Sequence, residues 1–178
     1  MSTFKVPTRD QVSAENQKIF DNLESSLGFV PNIYAAMGKS DNALANYLAF
    51  SGAKTSFSKK QKEVIDLAVS QVNGCVYCQA AHTAIAKMNG FTEEQTIELR
   101  KGQASWDESI DALSKLSKSI AENRGNIDGQ LLDNFYSAGF NEENLVDLVT
   151  AIGAITITNI FHNLTEVPVD FPAAPSIN

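Results

Sequence analysis

The feature that most constrains this chain is helical punctuation. Polar caps repeatedly precede apolar residues spaced three and four apart, and a glycine follows each run. Ser58-Lys-Lys-Gln61 and Thr92-Glu-Glu-Gln95 have the form of a capping box, in which the first side chain accepts an orphan N–H and the fourth reaches back. Ser105-Trp-Asp-Glu108 has the same form and predicts a third helix start. Apolar residues keep a helical period at Ile19, Phe20, Leu23 and Leu27, at Val64, Ile65, Leu67, Ala68 and Val72, and at Ile110, Leu113, Leu116 and Ile120. Gly28, Gly74, Gly90, Gly102, Gly125 and Gly139 fall where those runs stop. Shorter helices are expected over 33–37, after Ser40 and around Leu131 to Tyr136, and a longer one over Cys75 to Met88. Ile155-Thr-Ile-Thr158 alternates as a strand would, but Leu145, Leu148, Val149, Ile152 and Ile155 hold a helical period and no strand partner is evident. The expected fold is therefore all-α, a single helical domain over residues 1–178 with about seven or eight helices. Three prolines, Pro168, Pro172 and Pro175, predict an extended tail from about residue 167.

At 178 residues and 43% hydrophobic content, such a domain can bury a core. A net charge of −7 argues against a general nucleic-acid or anionic-membrane surface. The stretch from Leu148 to Asn163 carries no charge, but it holds Thr150, Thr156, Thr158, Asn159 and His162 and is shorter than the ~20 apolar residues of a membrane helix. A buried core helix is expected there. No secretory leader is expected from Met1 to Gln11, and a cytoplasmic location follows by default.

The chain has two cysteines and two histidines, and one stretch concentrates them. Between Glu63 and His82 lie Asp66, Cys75, Tyr77 and Cys78. On one helix, Cys75, Cys78 and His82 fall within roughly 60° of one another. Asn73-Gly74 places Cys75 at a helix N-terminus, where unpaired N–H groups and the dipole favour a thiolate. Redox or nucleophilic thiol chemistry is one meaning of this pattern. A buried structural pair of free thiols is another. Zinc would need a fourth ligand, and only the distant His162 is available. A thioredoxin-type oxidoreductase would need a strand before the motif, and c-type haem attachment needs His where Gln79 stands. No nucleotide-binding glycine motif is present. Asp66 lies one turn from Glu63 and is either a support for the site or a solvated carboxylate. His162 reads as a core or interface histidine. Trp106 and the ten phenylalanines read as core or subunit contacts.

The interval from Glu63 to C-x-x-C and from Cys78 to His82 resembles the core motif of alkylhydroperoxidase D-like proteins, within the carboxymuconolactone decarboxylase superfamily. Gly28-Phe-Val-Pro31-Asn32 is similar to a turn of that family, whose fold is all-helical. The resemblance implies a thiol-dependent peroxidase-like oxidoreductase acting on small hydroperoxides. Cys78 would be the peroxidatic thiol, Cys75 the resolving one, and Glu63 with His82 a proton relay. It implies no tightly bound cofactor and no metal, but an external dithiol reductant, with a lipoyl-type donor suggested by the family. Some members carry a histidine where this chain has Tyr77, and a phenol with an ordinary pKa of ~10 cannot replace it as a base. A protein dithiol-disulfide oxidoreductase and a non-catalytic redox sensor remain alternatives. The apolar spread of the last helix, with Val149, Ile152, Ile155, Ile157, Ile160 and Phe161, predicts either a central core helix or a subunit interface. The family resemblance favours a homo-oligomer, a trimer or hexamer.

Overall fold

The computed structural model describes residues 4–177. Among these it holds nine α-helices, one 3-10 turn at Arg9–Gln11 and no strand. The helices are α1 (Ala14–Leu27), α2 (Asn32–Met37), α3 (Ala43–Ser51), α4 (Lys59–Val72), α5 (Val76–Met88), α6 (Glu93–Lys101), α7 (Glu108–Asn123), α8 (Gly129–Ser137) and α9 (Glu142–Thr165). That is more than the seven or eight expected, although the short elements anticipated over 33–37 and after Ser40 do form, as α2 and α3. The alternating Ile155–Thr158 segment is helical, inside α9.

The capping boxes at Ser58 and Thr92 form as the sequence implies. The one expected at Ser105 does not. Asp107 is the N-cap of α7, and its carboxylate accepts the Ile110 N–H at 3.0 Å. Ser105 instead directs its N–H and hydroxyl to Glu98. This leaves Trp106 in the turn, where its ring packs 5.7 Å from Phe91. Ser40 likewise accepts N–H groups of Asn42 and Ala43, but it does so from a turn before α3.

α4 is the organising element, with α5, α6, α7 and α9 all packed against it. Its Val64, Ile65, Leu67, Ala68 and Val69 are fully buried. A helix covered on so many sides loses the narrow stripe of a surface helix. Leu113 and Leu116 of α7, Leu99 of α6 and Leu148 and Ile155 of α9 fill the space around it. α9 is long and apolar enough to cross a membrane by length and composition alone, yet Leu148, Ile152, Ile155, Thr158, Asn159 and His162 line a face buried in the bundle. Its other face leaves Val146, Val149, Ile157, Ile160 and Leu164 exposed.

A second, smaller core joins α1, α2 and α3 through Phe20, Ala35, Met37, Leu44 and Tyr47. Gly38 belongs there because an added Cβ would stand 2.9 Å from the Phe20 ring. Asn16 is completely buried beside it, and its Nδ2 donates to the carbonyls of Gly38 and Ser40 at 2.8 and 2.9 Å. Those carbonyls end α2 and have no helical partner, so one side chain does the work of a C-cap. After Thr165 the described residues form no helix or strand. The chain crosses back to α2 and α6: Asp170 accepts the Asn32 N–H at 2.7 Å, and Arg100 donates to the Pro175 carbonyl.

Asn16→Ala should lower the unfolding free energy by about 2 kcal/mol, because it strands buried carbonyls that Asn16 now satisfies. Urea denaturation measures this, and an unchanged midpoint would show that water replaces the amide without loss.

Candidate active site

The dithiol sits where α4 turns into α5. α4 stops at Asn73 because Gly74 adopts φ +64, a left-handed conformation that glycine tolerates best. The chain reverses in two residues and Cys75 becomes the N-cap of α5, its sulfur accepting the Cys78 N–H at 3.2 Å. The short turn brings α5 back along α4, so residues nineteen apart in sequence, Glu63 and His82, meet side by side.

Both cysteines are free thiols, and their Sγ atoms are 2.7 Å apart. A disulfide needs ~2.05 Å, so only a small rotation separates the pair from a bond. Cys75 is 0% exposed and Cys78 3%. The Cys75 thiol is held below its ordinary value, chiefly by the hydrogen bond from Cys78, with further help from the Cys78 N–H, Asn159 and the charge of His82. The Cys78 thiol is pushed up by the same shared hydrogen bond and by burial. Of the two thiols, Cys75 at the helix N-terminus is therefore the one that gives up its proton first.

His82 points its Nδ1 at two carboxylates. Glu63 Oε2 is 2.9 Å away and Asp66 Oδ2 3.4 Å. Glu63 is 7% exposed. Burial alone would push the imidazole down, but the charges of Asp66 and Glu63 and the hydrogen bond to Glu63 carry it up to about 9. Burial raises the Asp66 carboxyl to about 6, with His82 opposing and Glu63 adding to the rise. With its pKa carried to about 9, the ring holds its proton at neutral pH and offers both charge and a proton. Polar atoms of Glu63, Asp66 and His82 all lie within 4.8 Å of one another.

Tyr77 lies between the cysteines in sequence, and its hydroxyl is engaged elsewhere. Its hydroxyl donates to Asp170 at 2.6 Å and accepts the Ile33 N–H at 3.3 Å. Its ring packs against Phe171 and His162. It pins the tail and α2 to α5. His162 is buried with Nδ1 unpartnered, and its pKa is lowered by that burial.

Several neighbours of the site escaped the sequence. Thr158 on α9 lies 3.9 Å from the Cys78 sulfur. Its own hydroxyl donates to the Ile155 carbonyl, so it can only accept from a thiol. Asn159 donates to Ser70 and accepts from Asn73, tying the end of α4 to α9 beside the sulfurs. Tyr34 and Tyr47 stand with ring centroids 6.1 Å apart. The Tyr34 phenol is raised to about 12 by burial and by the nearby charges of Asp66, Cys78 and Glu63. The signal for Thr158 and Asn159 was present: adjacent polar residues in an otherwise apolar helix. Nothing local marked the two tyrosines.

The model of the carboxymuconolactone decarboxylase family matches residues 35–116, which include Glu63, Asp66, Cys75, Cys78 and His82. An uncharacterized Bacillus subtilis protein, YdfG, is 31% identical over 113 residues, covering 60% of this chain and 74% of its own. A peroxidase-related protein from Silicibacter sp. TM1040 superposes with a TM-score of 0.83 over 99% of this chain and 96% of its own, at 22% identity. An alkylhydroperoxidase AhpD core protein from Ralstonia eutropha JMP134 gives 0.85 over 95% and 92%, at 17% identity. Both share the all-helical fold. The chain belongs to the carboxymuconolactone decarboxylase family.

Proposed function

We propose that this protein is a thiol-dependent peroxidase that reduces small hydroperoxides through a Cys75/Cys78 dithiol–disulfide cycle. The observation that carries this is the buried sulfur pair in contact at 2.7 Å, beside a histidine charged by Glu63. Charge favours Cys75 as the thiolate, whereas access favours Cys78, which keeps the little exposure the pair has. A proton shared by touching sulfurs moves easily between them, so access selects the attacking atom. The Cys78 thiolate attacks the terminal oxygen of the hydroperoxide. The S–O bond forms as the O–O bond breaks, and the departing alkoxide takes a proton from His82. The sulfur is oxidised to sulfenic acid and the peroxide reduced to an alcohol. Cys75 then attacks Cys78, forming the disulfide and releasing water. An external dithiol of lipoyl type restores both thiols and leaves as its own disulfide. Burial of both sulfurs disfavours the alternative of a protein disulfide as substrate, because a folded partner could not reach them.

Cys78→Ser should abolish multiple turnover of a small alkyl hydroperoxide with a dithiol reductant. Cys75→Ser should form a trappable sulfenic acid on Cys78 and stop there. Full turnover by Cys78→Ser would end this assignment. Wild-type turnover should fall as pH rises through about 9, where His82 loses the proton it must donate.

The exposed stripe of α9, Val146, Val149, Ile157, Ile160 and Leu164, supports a homo-oligomer in which a second copy covers it. Light scattering should give a multiple of the 19.3 kDa chain. A concentration-independent monomer would contradict this.

A further inference from the structure

Asp66 stands out because its carboxylate is nearly buried and lacks a donor of its own. Its side chain is 14% exposed, and its close polar contact is the Nδ1 of His82 at 3.4 Å. Lys62, its neighbour on α4, donates to the Ser51 carbonyl instead. Glu63 already takes the single Nδ1–H of the ring at 2.9 Å. A second carboxylate on the same nitrogen is redundant for orientation, since one hydrogen bond fixes tautomer and ring plane. It is not redundant for charge. Desolvating a second anion is costly, and that cost is offset only if the ring carries a positive charge.

We propose that Asp66 is a positioning residue which, with Glu63, brackets His82 between two carboxylates and keeps the ring a standing imidazolium, ready to protonate the alkoxide released by the dithiol. This rests on the peroxidase function proposed above and adds the group that sets its working pH range. The groups facing the ring are few. α4 contributes Glu63 and Asp66, with Lys62 beside them. α5 contributes Cys75, and Cys78 shares its charge. The Tyr34 phenol of α2 lies within electrostatic reach of both carboxylates. α9 offers the uncharged Thr158 and Asn159 to the sulfurs, while its His162 packs on Tyr77. The buried Arg100 of α6 is engaged by Gln71 and Gln79. Removing Asp66 therefore removes one of two anions at Nδ1, with no other carboxylate placed to replace it.

The chain has only two histidines, so their ring resonances can be followed individually by NMR, with His82 assigned from its loss in His82→Gln. In the wild type His82 should titrate near 9. In Asp66→Asn, which keeps size and removes charge, the midpoint should fall by roughly one unit or more. In Asp66→Glu it should return towards the wild-type value. The alkaline limb of hydroperoxide turnover should move with the NMR midpoint in each variant, while circular dichroism confirms the helical fold. An NMR midpoint unmoved in Asp66→Asn overturns the proposal. So does a midpoint that moves while the turnover limb stays fixed, since the imidazolium would then not be the acid. A wild type without hydroperoxide turnover at any pH would refute the peroxidase function and with it this catalytic role. The NMR titration would still report whether Asp66 holds the charge.

Discussion

A carboxylate buried inside a helical bundle must find a cation or give up its charge, and Glu63 finds His82. The rest of the site depends on this contact. It joins α4 to α5 across the tight Asn73-Gly74 turn and fixes which imidazole nitrogen faces the acids. The ring, held charged by the carboxylates, lies within electrostatic reach of a thiol pair that is buried from water. The same turn makes Cys75 a helix N-cap, so Cys78, through its thiol and its N–H, and the charge of His82 all hold the Cys75 thiol below its ordinary value.

The surrounding elements keep this arrangement in register. α9 supplies Thr158 and Asn159 on its buried face, and Asn159 bridges Ser70 and Asn73 at the point where α4 ends. α2 and the extended tail are clasped to α5 through Tyr77, whose hydroxyl serves Asp170 and Ile33 at once. The residue between the cysteines thus ties distant segments together, and burial and Asp170 raise its phenol well above the ordinary value.

The sequence made legible what depends on local chemistry. Capping at Ser58 and Thr92, the break at Gly74 and the meeting of Cys75 with Cys78 all follow from residues a few positions apart. The Glu63–His82 contact was legible only through family spacing, because it spans a turn whose path periodicity does not give. Ser105 misled because Asp107, two residues on, is an equally good cap, and the tertiary packing of Trp106 on Phe91 decided between them. The role of Asn16, the clasp at Tyr77 and the placement of Tyr34 and Tyr47 depend on contacts between distant segments, for which no local pattern exists. The charge on His82 was likewise hidden: a motif names the residues, but only their distances and burial reveal that two acids share one nitrogen.

The central claim is that the two sulfurs act as one two-electron centre. The most direct test is to titrate the fully reduced protein with a small alkyl hydroperoxide, without reductant, and to count thiols and map disulfides by mass spectrometry. The account predicts that each equivalent of hydroperoxide consumed removes both thiols of one chain and yields an intrachain Cys75–Cys78 disulfide. Thiols that persist in the presence of excess hydroperoxide, or a disulfide linking two chains in place of the intrachain one, would contradict it.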